Sequence, residues 1–113
     1  MAIQYKNARF SLTGTGQTTV LTLSVSSRAI LQNIQTQNAS SGTTTVTAHM
    51  YDASVGNTSE ISTIKLSSVT TQNLAKGPIV LEESDALKLQ AGTGNVIKGM
   101  ISYALLTGDQ GTA

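Results

Sequence analysis

The chain has no cysteine, no tryptophan, one proline, one histidine and an unusually low share of charge. Each shortage removes a class of chemistry. Without cysteine there is no disulfide, thiolate nucleophile or thiolate-held metal. Small extracellular domains often depend on disulfides, so assembly in a reducing cytoplasm is expected. Charged residues make up 12% of the chain and the net charge is +1, so no long-range field steers nucleic acid or an anionic membrane to it. The aromatics Tyr5, Phe10, Tyr51 and Tyr103 are scattered. Single-stranded nucleic acids are gripped by stacking platforms beside basic grooves, and the seven lysines and arginines are dispersed. Carbohydrate modules, a remote alternative, use exposed aromatic platforms of the same kind. No apolar run approaches the ~20 residues that span a bilayer. The start, Met1 to Lys6, lacks the basic and long apolar regions of a secretion signal.

What is present is a polarity without charge. Roughly a quarter of the chain is serine or threonine. Threonine suits a pleated, half-buried surface because its branched side chain packs there without strain. A surface poor in lysine and glutamate is also cheaper to strip of water, as interface cores are. A threonine-rich solvent face of an ordinary sandwich is the alternative.

Period-2 alternation runs through the chain and sustained helical periodicity is absent, which predicts an all-β chain. Strands are expected at Ile3–Leu12, Gln17–Val25, Arg28–Gln37, Thr43–Tyr51, Glu60–Leu66, Ile79–Leu81, Leu87–Gln90 and Val96–Leu106. Ser67 to Gly77 is expected to be a long loop, with a short strand near Val69 at most. Leu21, Leu23 and Val25 are assigned one face, and Ile30 shares a face with Ile34. About eight strands at 8–12-residue spacing, each with one apolar side, predict a two-sheet antiparallel β sandwich, jelly-roll-like, in one domain over residues 1–113. Leu23, Ile34, Val46, Ile64, Leu87 and Ile101 are its expected core. Residues 1–12 are either an extended arm or the first strand, and 107–113 read as a flexible tail.

No constellation carries chemistry. His49 and Asp52 point to opposite faces of a strand and cannot share a metal, so His49 reads as a surface or interface residue. Glu82, Glu83 and Asp85 lack calcium-loop spacing and read as a solvated acidic turn. Gly14-Thr15-Gly16 and Gly92-Thr93-Gly94 lie between strands, without the helix start and Lys-Ser/Thr pair of a phosphate loop. The nucleophiles available are serines and threonines with one isolated histidine, so no catalytic, metal or cofactor site is expected.

Several segments carry a resemblance. Ile30-Leu31-Gln32-Asn33-Ile34-Gln35-Thr36-Gln37-Asn38 is a strand ending in an asparagine-rich turn. Val46 to Met50 runs into Tyr51-Asp52-Ala53-Ser54. Gly77-Pro78-Ile79-Val80-Leu81-Glu82-Glu83 forms an acidic turn, and the chain closes through Leu87-Lys88-Leu89-Gln90-Ala91 and a strand ending near Ser102-Tyr103. From Val20 to Leu106 this resembles small virion structural proteins of tailed bacteriophages, common in marine and cyanobacterial phages. The resemblance implies a non-enzymatic β-sandwich subunit, assembled in the host cytoplasm and carried on the capsid surface. It implies a homo-oligomer, a trimer, that decorates and cements the shell by binding the major capsid protein, with no nucleic-acid or membrane partner. The rival is a neck, tail or fibre-head module, or one that recognises the host. The loops at 38–42 and 52–59 bear small polar residues where host recognition would favour aromatics, which points to cement. Ile3, Tyr5 and Phe10, with Lys6 and Arg9 beside them, are the candidate interface.

Overall fold

Threonine and serine alternating with aliphatic residues can bury only one side of each strand, and the strands meet that constraint by forming two facing sheets. The computed structural model describes residues 2–75 and 77–107. Among them are nine strands and no helix: β1 (Ala2–Leu12), β2 (Thr18–Thr22), β3 (Ser27–Asn38), β4 (Thr44–Asp52), β5 (Asn57–Leu66), β6 (Thr70–Asn73), β7 (Ile79–Leu81), β8 (Ala86–Ala91) and β9 (Ile97–Thr107). One sheet runs β1-β9-β3, with β6 and β7 sharing the far edge of β3. The other runs β2-β8-β4-β5. Every ladder is antiparallel.

If β6 and β7 are taken as two halves of one interrupted strand, the pairs nest. β1 lies with β9, β2 with β8, β3 with β6 and β7, and β4 with β5. Rolling that nested ribbon into two sheets gives the jelly-roll order.

The core lies between the sheets. Leu12, Leu31, Ile34, Leu66, Leu74, Leu81, Leu87, Leu89, Ile97 and Ile101 are its largest fully buried aliphatic side chains. All six core residues expected from alternation are buried, Leu23 and Ile64 at the rim and the other four completely. Each large aliphatic side chain so placed contributes about 1.5–3 kcal/mol relative to exposure.

Three local expectations need correcting. Val25 is 82% exposed, because β2 ends at Thr22 and Val25 lies in the turn before β3. Ile30 does not share a face with Ile34. The ladder between β3 and β9 slips between Leu31 and Asn33, and this bulge reverses the strand's parity. Ala29 and Leu31 point inward before it, Ile34, Thr36 and Asn38 after it, and Ile30 is left on the outer face. The stretch 67–77 does hold a short strand beside Val69, β6, but it is not a surface loop beyond it: Leu74 and Ala75 are buried in the core.

β6 and β7 are separated where Pro78 lacks an N–H for the ladder. Side-chain and backbone groups fill the gap. The Ile34 N–H donates to Asn73 Oδ1 (2.9 Å), which also accepts the Ala75 N–H (3.0 Å), and the Leu74 N–H donates to the Ile34 carbonyl (2.9 Å). Residues 2–12 form a strand paired with β9 along its whole length. Of the expected tail, Thr107 closes β9, and 108–113 lie outside the described residues.

Candidate interaction surface

The outer face of the β1-β9-β3 sheet is built by register. Tyr5 lies opposite Ala104, Ala104 opposite Ile30, and Ile30 opposite Val80, so four strands place one apolar row side by side. Two residues along, Ile3 lies opposite Leu106 and Leu106 opposite Arg28. Tyr5 is 79% exposed, Ile3 58% and Val80 57%, whereas Ala104, walled by its larger neighbours, is nearly covered. A polar row, Asn7 opposite Ser102 opposite Asn33, borders the patch on one side. An ion pair borders it on the other: Arg28 Nε donates to Glu83 Oε2 at 2.8 Å. Arg28 draws the Glu83 carboxyl below its ordinary pKa, chiefly through that hydrogen bond, and the guanidinium is raised in turn. The pair is solvent-facing and fixes the border more than it adds stability.

The three expected interface residues therefore separate. Ile3 and Tyr5 are offered to solvent. Phe10 turns inward, 8% exposed, and its ring crosses Gly99 on β9. A Cβ at Gly99 would lie 2.9 Å from Phe10 Cζ and collide with the Gln35 carbonyl oxygen, so glycine is required there for the approach of ring and backbone. Sequence reasoning missed Ile30, Val80, Ala104 and Leu106 as members of the patch. Alternation between Ile79 and Leu81 does place Val80 outward. For Ile30 the bulge hid the answer.

The other sequence-level candidates resolve as structural. His49, expected at the surface or an interface, is 8% exposed and lies beneath its neighbours within the chain. Its Nε2 donates to Gln90 Oε1 (3.0 Å), and Gln90 Nε2 donates to the Thr15 carbonyl (3.1 Å), so the ring is held against neighbouring strand and loop. The acidic turn is not solvated throughout. Asp85 is buried, accepting the Ala53 N–H on Oδ1 (3.0 Å) and the Glu82 N–H on Oδ2 (2.9 Å), which locks the β7–β8 turn to the β4–β5 turn. Among the described residues, no three His, Asp or Glu side chains converge to hold a metal. The two glycine-threonine-glycine segments lie in turns, and Gly94 backs onto the start of the first one: a Cβ there would lie 2.8 Å from the Thr13 carbonyl oxygen and 3.7 Å from Gly14 Cα. A shallow depression lined by Arg9, Ser11, Gln37 and Lys98 lies on the same outer face as the apolar row.

Two antiparallel sheets in this strand order also occur in chains of solved viral particles. A chain of the T13 particle of infectious bursal disease virus superposes with a TM-score of 0.59 at 10% identity, over 91% of this chain and 30% of that one. A chain of T=1 particles derived from infectious bursal virus gives 0.60 at 13%, over 92% and 31%. A chain of the acid-stable capsid of the Helicobacter pylori bacteriophage KHP30 gives 0.55 at 14%, over 93% and 87%. The chain has a viral capsid-like β fold. It spans about a third of the length of the bursal virus chains it matches, and nearly the whole of the phage chain. No protein-family model matches it, and no curated protein matches it in sequence.

Proposed function

We propose that this protein is a non-enzymatic structural component of a tailed-phage virion, a decoration or cement protein that binds the major capsid protein on the capsid surface as a homotrimer. The observation that carries the reading is the end-to-end likeness to the KHP30 capsid chain, 93% of this chain against 87% of that one. A polypeptide hardly longer than this one, with this fold, is a component of a phage capsid. The apolar row from Tyr5 to Val80 supplies the kind of surface that adhesion needs: large side chains with few charges to desolvate. Catalysis finds no support: the one histidine is engaged with Gln90, and among the described residues the surface depressions are lined by no aspartate, glutamate or histidine.

The test is reconstitution. Purified protein is added to capsids from particles that lack it, and co-sedimentation and capsid melting are followed. Saturable binding and a raised melting temperature are expected. Recovery of the protein by mass spectrometry in isolated tails and not in heads would replace this reading with the neck, tail or fibre-head one.

A further inference from the structure

A sandwich of two open sheets has four edges, and each edge strand presents a row of unpaired backbone N–H and C=O groups. Three of the four are blunted here. β2 has only five residues and a bulge between Thr19 and Leu21. β5 carries an extra residue, Ile61, where its ladder slips opposite Ala48 and His49, and it bears Glu60 and Lys65. The far edge is broken into two short strands, β6 ending at Asn73 and β7 starting at Ile79, with Pro78 just before the second. β1 differs. It pairs with β9 through eleven consecutive positions without a register shift, and among the described residues nothing pairs with its other side. Residues Ile3 to Asn7 are exposed on both faces.

The charges along this edge decide its partner. Lys6 and Arg9 lie on β1, and Lys98 lies opposite Ser11 on β9. No aspartate or glutamate occurs before Asp52, and none occurs in β9. A second copy docked edge to edge would bring two Lys6 and two Arg9 to one seam with no carboxylate on either strand, an arrangement that opposes self-pairing. An acidic strand would neutralise the same two side chains while satisfying the free backbone groups.

We propose that β1 is a strand-addition site for an extended acidic segment of another polypeptide. Its backbone continues the sheet, its carboxylates meet Lys6 and Arg9, and its apolar side chains cover Ile3 and Tyr5. Main-chain hydrogen bonds supply affinity and the side-chain rows supply selectivity. The inference is independent of the virion reading, because it follows from edge geometry and charge alone.

The experiment uses the full chain, uniformly 15N-labelled at low salt, and two synthetic ten-residue peptides. One alternates valine and threonine with two glutamates. The other has lysine in place of each glutamate. The acidic peptide should shift and protect from exchange the amides of residues 3–11. It should bind at least ten-fold more tightly than the lysine peptide, and added salt should narrow that gap. The double variant Lys6→Glu/Arg9→Glu alters two exposed side chains, so it should keep its fold and reverse the preference. If it does not fold, Lys6→Gln/Arg9→Gln should abolish the preference. Equal affinity for the two peptides, shifts mapping to β2 or β5, or concentration-dependent protection of β1 in the protein alone would each overturn the proposal.

Discussion

Asn38 is fully buried, yet each of its polar atoms is used. The two hydrogens of its Nδ2 are shared among the carbonyls of Gly42 (2.8 Å), Leu66 (3.1 Å) and Ser67 (3.1 Å), and its Oδ1 accepts the Ser40 N–H (2.9 Å) and hydroxyl (2.8 Å). One side chain thus ties the β3–β4 turn to the β5–β6 turn. Asn38→Leu removes the partner of the buried Leu66 carbonyl and releases both turns, and a loss of roughly 1–3 kcal/mol is expected, read as a lower urea midpoint at unchanged slope. Gly99→Ala should cost at least as much, since the Gln35 carbonyl in its path is backbone and cannot rotate away. At the Arg28–Glu83 pair the sign follows from the lowered folded pKa of Glu83. The folded state holds that proton more weakly than the unfolded chain. The pair's contribution is therefore present above the ordinary carboxylate value and is lost as pH falls through the folded one. Arg28, raised in the folded state, keeps its contribution until strongly alkaline pH. Melting curves recorded from about pH 7 to pH 3 should show a slightly shallower acid decline for Glu83→Gln, with the difference fading in high salt.

At the scale of the element, β3 is the hinge of the design. It pairs with β9 on one side and with β6 and β7 on the other, and its bulge falls close to the gap between those two short strands. The bulge is what lets one twelve-residue strand bury Ala29 and Leu31, then Ile34, Thr36 and Asn38. Deleting Gln32, the extra residue, leaves Ala29, Leu31, Ile34, Thr36 and Asn38 in phase on the inner face of a regular strand. A retained cooperative thermal transition is expected. Leu87→Ala, a truncation at a fully buried position on β8, should cost about 2–5 kcal/mol and leave the transition cooperative. The first strand belongs to this scale too. Because β1 covers β9 and carries Phe10 and Leu12 into the core, removing residues 2–10 should compromise folding as well as any binding.

For the whole molecule, the separation of a dry interior from a low-charge exterior is the functional statement. Tyr5→Ser and Val80→Ser alter exposed members of the apolar row, so each should move stability by no more than about 0.5 kcal/mol. If the proposed decoration role holds, the double variant should co-sediment with capsids at least ten-fold more weakly than the parent chain. A double variant that binds as well as the parent would move the contact to another face.

Local alternation was enough to predict an all-β chain, two facing sheets and six core residues, because burial of one strand face is a period-2 property that neighbouring residues alone can express. The lack of thiols was equally legible, since composition alone shows that no cysteine is present. Parity across the β3 bulge, the core role of Leu74, the burial of His49 and Asp85, and the inward turn of Phe10 were decided only by tertiary structure. Each depends on a partner far along the chain: β9 for Ile30, Ile34 for Leu74, Gln90 for His49, the Ala53 N–H for Asp85, and the space above Gly99 for Phe10. Register between distant strands is what assembled Tyr5, Ala104, Ile30 and Val80 into one surface, and no local pattern encodes a neighbour some seventy-five residues away.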